Sequence, residues 1–388
     1  MFRTLPPIGV PISIADILAG IISFLKGDSY IKRFREELCR YFGVKYCFLA
    51  SSGRAVLTML LMAMRNLQTE KDEVILPAYT SFFVPSAVVK AGLKVSLCDI
   101  DPNTMSLDIN SLKESITEST LCVVVCPLFG YPCDMDAIME VAKERGVYVI
   151  DDSAQAMGAK YKGKYLGIFG DAGIFSLSRG KNITTVDGGI IVTNSNEMAE
   201  ELSKIDLKKA GYLDRLMIIF KALIISVFLR PCFYWLPGKL PFLNLGVAVF
   251  STNFCLKELT EIQAGMGIRM LKRLKTINET RALKADKLIK GLGSSKGINF
   301  SRKVDGAEPV FLRLPIRCNN SNQLDYPRLG IVKSYPYPLN KIEPLKPYII
   351  NGKRYPNAER LAENILTLPT HNYVTRKDIN LIINYFRE

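Results

Sequence analysis

The stretch Val147-Tyr-Val-Ile-Asp-Asp-Ser-Ala-Gln-Ala-Met-Gly-Ala159, with Ala172-Gly-Ile-Phe-Ser176 and Arg179-Gly-Lys-Asn182 behind it, decides the fold. Its first four residues are apolar and β-branched or aromatic, the pattern of a buried parallel strand, and Asp151-Asp152 stands where that strand ends. The carboxyl ends of strands in an open α/β sheet face the ligand crevice, so a carboxylate there points at a ligand. Ala172 to Ser176 reads as a second strand, and Lys181 follows it. Lysine forms Schiff bases with carbonyl compounds and with pyridoxal phosphate, and pyridoxal enzymes need an acidic partner for the ring nitrogen. An Asp followed by Ser-x4-Lys meets both needs in order.

These residues resemble the DegT/StrS-type sugar aminotransferases of the aspartate-aminotransferase fold. The family's "EDAAQALGA" turn stands here as Asp151-Asp-Ser-Ala-Gln-Ala-Met-Gly-Ala159. Its "GxFGDxGxFSFxxxKNxTxGEGG" stands as Gly167-Ile-Phe-Gly-Asp-Ala-Gly-Ile-Phe-Ser176, Lys181-Asn182 and Asp187-Gly-Gly189. The resemblance implies a pyridoxal 5'-phosphate cofactor on Lys181, with Asp152 holding the ring nitrogen protonated and Gln155 beside the ring. It also implies Ser176, Gly53 and Arg54 on the phosphate. Ser51-Ser-Gly-Arg-Ala55 occupies the place of the family's "SGTxAL", and Gly53 at a helix N-terminus suits an anion. Arg54, in place of the usual Thr, either binds the phosphate bidentately or points to solvent while backbone amides do the binding. The family's ring-stacking aromatic aligns with Ser81, so stacking passes to Tyr79 or Phe82, with Phe82 preferred, or is absent; the competing reading makes both core aromatics. The Asn that reaches the partner subunit's phosphate carries over to Asn253, and the shared sites of the family imply a homodimer.

The composition bounds the reading. A chain of 388 residues with 51 Lys+Arg against 37 Asp+Glu carries a formal charge of +14, which either reflects a solvated basic surface or favours an anionic partner. Nucleic acid is not the expected one. Nine cysteines, with no Cys-x2-Cys pair, read as reduced residues of a cytosolic protein, and a single histidine, His371, leaves no metal site and no Ser-His-Asp triad to expect. Residues 1–11 lack a basic segment leading into an apolar one, so no cleavable signal is expected.

Alternating apolar runs and helical stretches over residues 45–195 predict a doubly wound, mainly parallel sheet of the type I pyridoxal-phosphate transferase fold. An N-terminal apolar segment is expected at 1–29 and a large cofactor-binding domain at 30–257. A long helix from about residue 259 to 292 then leads a smaller α/β domain, 258–388, with strands including 309–315 and a closing helix at 376–386. The family's "SGxxTxGP" substrate loop is contracted here to Gly27-Asp-Ser-Tyr30, and Pro127 replaces its usual His.

Two stretches fit no catalytic pattern. Residues 12–25 (ISIADILAGIISFL) form an apolar helix with one charge, and residues 212–250 form a hydrophobic insertion with Lys208, Lys209, Arg215, Arg230 and Lys239 around it. Neither reaches the roughly 18–20 apolar residues a membrane span needs. Basic and aromatic flanks suit an interfacial element on the cytoplasmic membrane face, and a subunit interface or core helix pair is the competing reading.

Taken together, the expected reaction is transfer of an amino group, from glutamate, to a keto-sugar that is nucleotide-linked or lipid-linked. Relatives that dehydrate sugars carry His where this chain has Lys181. The alternatives are another type I pyridoxal enzyme of lyase-like chemistry, or a non-catalytic membrane- or partner-binding protein retaining the fold.

Overall fold

The computed structural model describes residues 3–238, 249–293, 295–319, 321 and 324–387. Seven short apolar runs form its central sheet: β1 (Tyr46–Ala50), β2 (Glu73–Pro77), β3 (Lys94–Cys98), β4 (Thr120–Val125), β5 (Tyr148–Asp152), β6 (Ala172–Ser176) and β7 (Gly189–Thr193). Their order is β1-β7-β6-β5-β4-β2-β3. Every pairing is parallel except those of β7, which runs antiparallel to both β1 and β6. All residues of β4, β6 and β7 are buried, as expected of strands covered on both faces. Because β7 is reversed, the other six strands end on one edge of the sheet, and that edge carries the site.

Helices α1 (Ile14–Lys26), α2 (Ser29–Phe42), α3 (Gly53–Leu67), α4 (Phe83–Lys90), α5 (Ile109–Ser115), α6 (Met135–Glu144) and α7 (Asn196–Lys204) alternate with these strands or flank them. The apolar stretch after α7 becomes α8 (Tyr212–Phe228). A bridge between Lys208 and Lys257 closes the excursion at its base. Of the 212–250 insertion, residues 239–248 lie outside the described residues.

The long α9 (Glu261–Leu292) opens on a capping box in which Thr260 and Gln263 satisfy each other's backbone N–H groups. Its Arg281 is fully buried and donates to the carbonyls of Gly9 and Leu312, tying the N-terminal stretch and the C-terminal region to one helix. A second, antiparallel sheet follows: β8 (Ile298–Phe300), β9 (Leu314–Cys318) and β10 (Ile365–Leu368) in that order. It is accompanied by α10 (Pro356–Asn364) and α11 (Arg376–Tyr385).

The strand expected at 309–315 starts instead at Leu314. Phe311 sits at φ 47°, which no strand accommodates, and Val310 donates to the Gly130 carbonyl instead of joining a ladder. The buried side chains of Val310, Phe311 and Leu312 explain why the run reads as a strand: they are core residues on an irregular segment.

Candidate active site

The six parallel strands deliver their ends to one place. Ser52-Gly53 follows β1, Thr80 lies beyond β2, Cys126 directly follows β4, Asp152 ends β5 and Ser176 ends β6. Register fixes the geometry: Gly189 on β7 pairs with Ala50 on one side and with Ser176 on the other. The turn that opens α3 is thereby held against the end of β6. Ser52 caps α3 by accepting from the Ala55 N–H at 3.2 Å. A Cβ on Gly53 would lie 3.0 Å from the Ser176 Oγ. Gly53 and Ser176 thus form a small cradle at a helix N-terminus.

Asp152 is buried, and burial raises its carboxyl pKa to about 6, with its bond from the Ala154 N–H and the charge of Lys181 pulling the other way. Its Oδ2 meets only the Cys126 thiol, a weak donor 3.9 Å away. Lys181 is surrounded by enough protein that burial lowers its pKa, opposed by the charges of Asp152, Cys126 and Asp187. Asp152 and Lys181 therefore lie close enough to act on each other's charge in a poorly solvated site. Lys181 is positioned by a turn, its N–H bonded to the Ser178 carbonyl, and by Asn182, whose amide donates to Asn278 of α9. The loop behind it holds Val186 at φ 78°, a costly conformation for a β-branched residue, which places Asp187 beside the cradle. Burial raises Asp187 to about 6, and Arg54, Lys221 and Arg179 counteract it.

Arg54, expected either on the phosphate or in solvent, is half-buried. Its guanidinium carbon lies 4.7 Å from the ring centroids of both Phe83 and Phe254, a cation–π sandwich next to Asp187. Gln155 spans two segments: its Oε1 accepts from the Phe129 N–H and its Nε2 donates to the Tyr335 hydroxyl, each at 3.1 Å. Phe82 is buried at the start of α4 with its ring 6.3 Å from that of Tyr335, edge to face. Asn253 is exposed, and it is its neighbour Phe254 that reaches the site through Arg54.

Sequence reading missed Tyr335. Its ring stacks near Phe129 at 6.1 Å, meets Tyr79 edge-on at 5.9 Å, and stands at φ 50°. Nothing local marks a Tyr in Tyr335-Pro-Tyr-Pro-Leu339 as a site residue; only the return of the C-terminal region to the sheet edge brings it there.

The architecture is shared with solved enzymes. The S. venezuelae protein DesV, solved in complex with a ketimine intermediate, aligns with TM-score 0.73 and 25% identity over 92% of this chain and 88% of its own. An aminotransferase from Streptoalloteichus hindustanus, TlmJ, aligns with TM-score 0.79 and 23% identity over 99% and 98%. The fold is that of the type I pyridoxal-phosphate-dependent transferases. Residues 19–387 match the model of the DegT/DnrJ/EryC1/StrS aminotransferase family, and the chain belongs to that family.

GDP-perosamine synthase of Escherichia coli O157:H7 is 38% identical over 173 residues, 45% of this chain and 47% of that protein. An L-glutamine:2-deoxy-scyllo-inosose aminotransferase of Streptoalloteichus tenebrarius is 31% identical over 262 residues, 67% of this chain and 56% of that protein. The chain thus spans about half the length of the curated relatives it matches.

Proposed function

We propose that this chain is a pyridoxal-phosphate-dependent aminotransferase that carries an amino group from glutamate to the ketone of a sugar, working as a homodimer. The observation that supports it most is the pairing of a buried Asp152 with a half-buried Lys181 within reach of its charge, on the strand ends next to the Gly53–Ser176 cradle.

The residues fit the cofactor. The close approach of Gly53 to Ser176 leaves the N-terminus of α3 without a side chain where a phosphate would meet it. A buried, weakly engaged carboxylate oxygen on Asp152 suits the N–H of a protonated pyridine ring. Bound pyridoxal phosphate supplies a carbonyl that condenses with amines and an electron-poor ring that accepts the electron pair of the adjoining carbon.

The protein's part is to bind, orient and move protons. The Gly53 and Arg54 N–H groups at the start of α3, with the Ser176 hydroxyl, would hold the phosphate at the positive end of the helix dipole. Arg54, pinned between Phe83 and Phe254, adds positive charge nearby. Asp152 keeps a proton on the ring nitrogen. The Lys181 amine would hold the cofactor's carbonyl carbon and would carry the proton that the exchange of the amino group requires. Its lowered pKa favours the neutral form that this step needs. Gln155 and Tyr335 fix the ring's surroundings.

The acceptor class follows from the family and from relatives whose names contain a GDP-linked amino sugar and a deoxy-inosose. One of those names specifies L-glutamine as donor, so glutamate and glutamine are tested side by side.

The deciding experiment is an absorbance spectrum of the purified chain with pyridoxal phosphate, before and after borohydride, with the labelled peptide mapped. A reducible band whose label lands on Lys181, and whose colour is discharged by glutamate or glutamine, is the expected result. Absence of a band, or a label on another lysine, sinks the proposal.

A further inference from the structure

Most surface helices bury one apolar stripe and show water a polar face. α1 and α8 do not. α1 buries Ile17, Gly20 and Ser23 against α9, yet it presents Ile14, Leu18, Ile22 and Leu25 outward, with Leu25 79% exposed. α8 buries Ala222 and Ser226, and it presents Leu213, Met217, Phe220, Leu223 and Val227 outward, with Leu213 78% and Phe220 59% exposed. The two helices touch, and the rings of Phe24 and Tyr212 lie 6.3 Å apart at the join. The outcome is one apolar face built from two helices, larger than scattered surface leucines would make.

The charges on these helices are one-sided. Each carries a single acid, and both acids are ion-paired: Asp16 with Arg269 and Arg273, Asp214 with Lys257. Lys26, Lys221 and Arg230 are exposed on or directly after the same helices, and Lys208 and Lys209 lead into α8. The exposed Asp28 and Asp206 beside the helices are outnumbered by these five cations, so a second copy seated face to face would bring two net-positive surfaces together. An anionic bilayer surface offers apolar depth and negative headgroups at once. The helices have 13 and 17 residues, and no described helix is long and apolar enough to cross a membrane, so the arrangement is one that lies in the interface.

We propose that the outer face of α1 and α8 docks this protein on an anionic lipid surface. α8 is within electrostatic reach of the site, since the charge of Lys221 lowers the pKa of the Asp187 carboxyl against the effect of its burial. On the aminotransferase reading above, this favours a keto-sugar acceptor delivered on a lipid carrier.

The test is flotation of the full chain with vesicles of phosphatidylcholine with and without phosphatidylserine. The chain is expected to float with the anionic vesicles and to be released as salt rises. Leu18→Glu combined with Phe220→Glu should cut the bound fraction at least about tenfold, and Lys26→Glu combined with Lys221→Glu should cut it several-fold and flatten its salt dependence. Leu283→Glu, which changes an exposed leucine far along α9 from the α1 contact at Gly265, should change nothing. Melting temperature and borohydride labelling of Lys181 are read on every variant, so a misfolded protein is recognised and a failure of the catalytic reading is seen separately. No flotation of the unaltered chain overturns docking, as does equal loss from Leu283→Glu. Loss of solution mass by the Leu18→Glu, Phe220→Glu variant with unchanged flotation also overturns it, and marks the face as a subunit interface.

Discussion

Gly53 and Ser176 approach so closely that a Cβ on Gly53 would lie 3.0 Å from both the Cβ and the Oγ of Ser176. The end of β6 and the start of α3 meet here because β7 pairs with β1 and β6 at the same residue, Gly189. Gly53→Ala should therefore fold, since α3 tolerates alanine, but fill the cradle. The expected outcome is cofactor affinity weakened about tenfold or more, a change of about 1.4 kcal/mol, together with a lower melting temperature of the cofactor-free protein, because Ser176 must shift to admit the Cβ. Titration of the absorbance band checks it; unaltered affinity would place the phosphate elsewhere.

Asp152 predicts a pH dependence. Its folded pKa is raised to about 6 from an ordinary 3.8, because burial penalises the charged form. Between those values the folded chain binds the proton more tightly than the unfolded chain, so this group favours folding at low pH and opposes it above pH 6. Asp152→Asn removes the cost of the buried charge. The cofactor-free variant should melt above the parent at pH 8, with the gap closing as pH falls through 6 toward 4. Scanning calorimetry across that range measures the gap, and a gap that stays constant or widens toward low pH contradicts the assignment. Activity should fall in the same variant, because an amide cannot hold the ring nitrogen protonated.

Gln155 and Tyr335 should not be equivalent in stability, although they share a hydrogen bond. Gln155→Ala strands the buried Phe129 N–H, at a cost of about 1–3 kcal/mol, whereas Tyr335→Phe loses one bond that leaves no buried backbone group unpaired, about 1 kcal/mol. Urea unfolding of the cofactor-free variants separates the two. Equal effects would mean that the Phe129 turn is held by its packing alone.

Helix α1 rests on α9 through small residues. A Cβ at Gly265 would lie 2.3 Å from the Ser23 Oγ and 2.6 Å from the Ala19 carbonyl oxygen, while Ser23 itself donates to the Glu261 carbonyl. Gly265→Ala should therefore destabilise the chain by about 1–3 kcal/mol despite alanine's better helix propensity. Chemical denaturation checks the sign: a stabilised variant would mean that α1 moves aside freely.

Much of the sheet edge is legible in the chain. Apolar runs of four to six residues mark β2 to β6, and the order Asp152, Ser176, Lys181 already names two groups that lie within reach of each other's charge. Runs such as Val310-Phe-Leu312 mislead for a stated reason. Burial makes a segment apolar whether or not it joins a ladder, and only the backbone at Phe311 tells the two apart. The excursion from Lys208 to Lys257 is legible as apolar but not as one half of a face, because its partner, α1, lies almost two hundred residues earlier.

Local sequence alone carries the parallel strands and the presence of a lysine and a carboxylate at the ends of neighbouring strands. These rest on periodicity and on side-chain chemistry within a few residues, which local sequence encodes. Tertiary structure alone decided that β7 runs backward between β1 and β6, that Arg54 lies between Phe83 and Phe254, that Tyr335 closes over Gln155, and that α1 and α8 share one apolar face. Each of these joins residues distant in the chain, and such contacts are chosen by how whole elements pack, which no local pattern records.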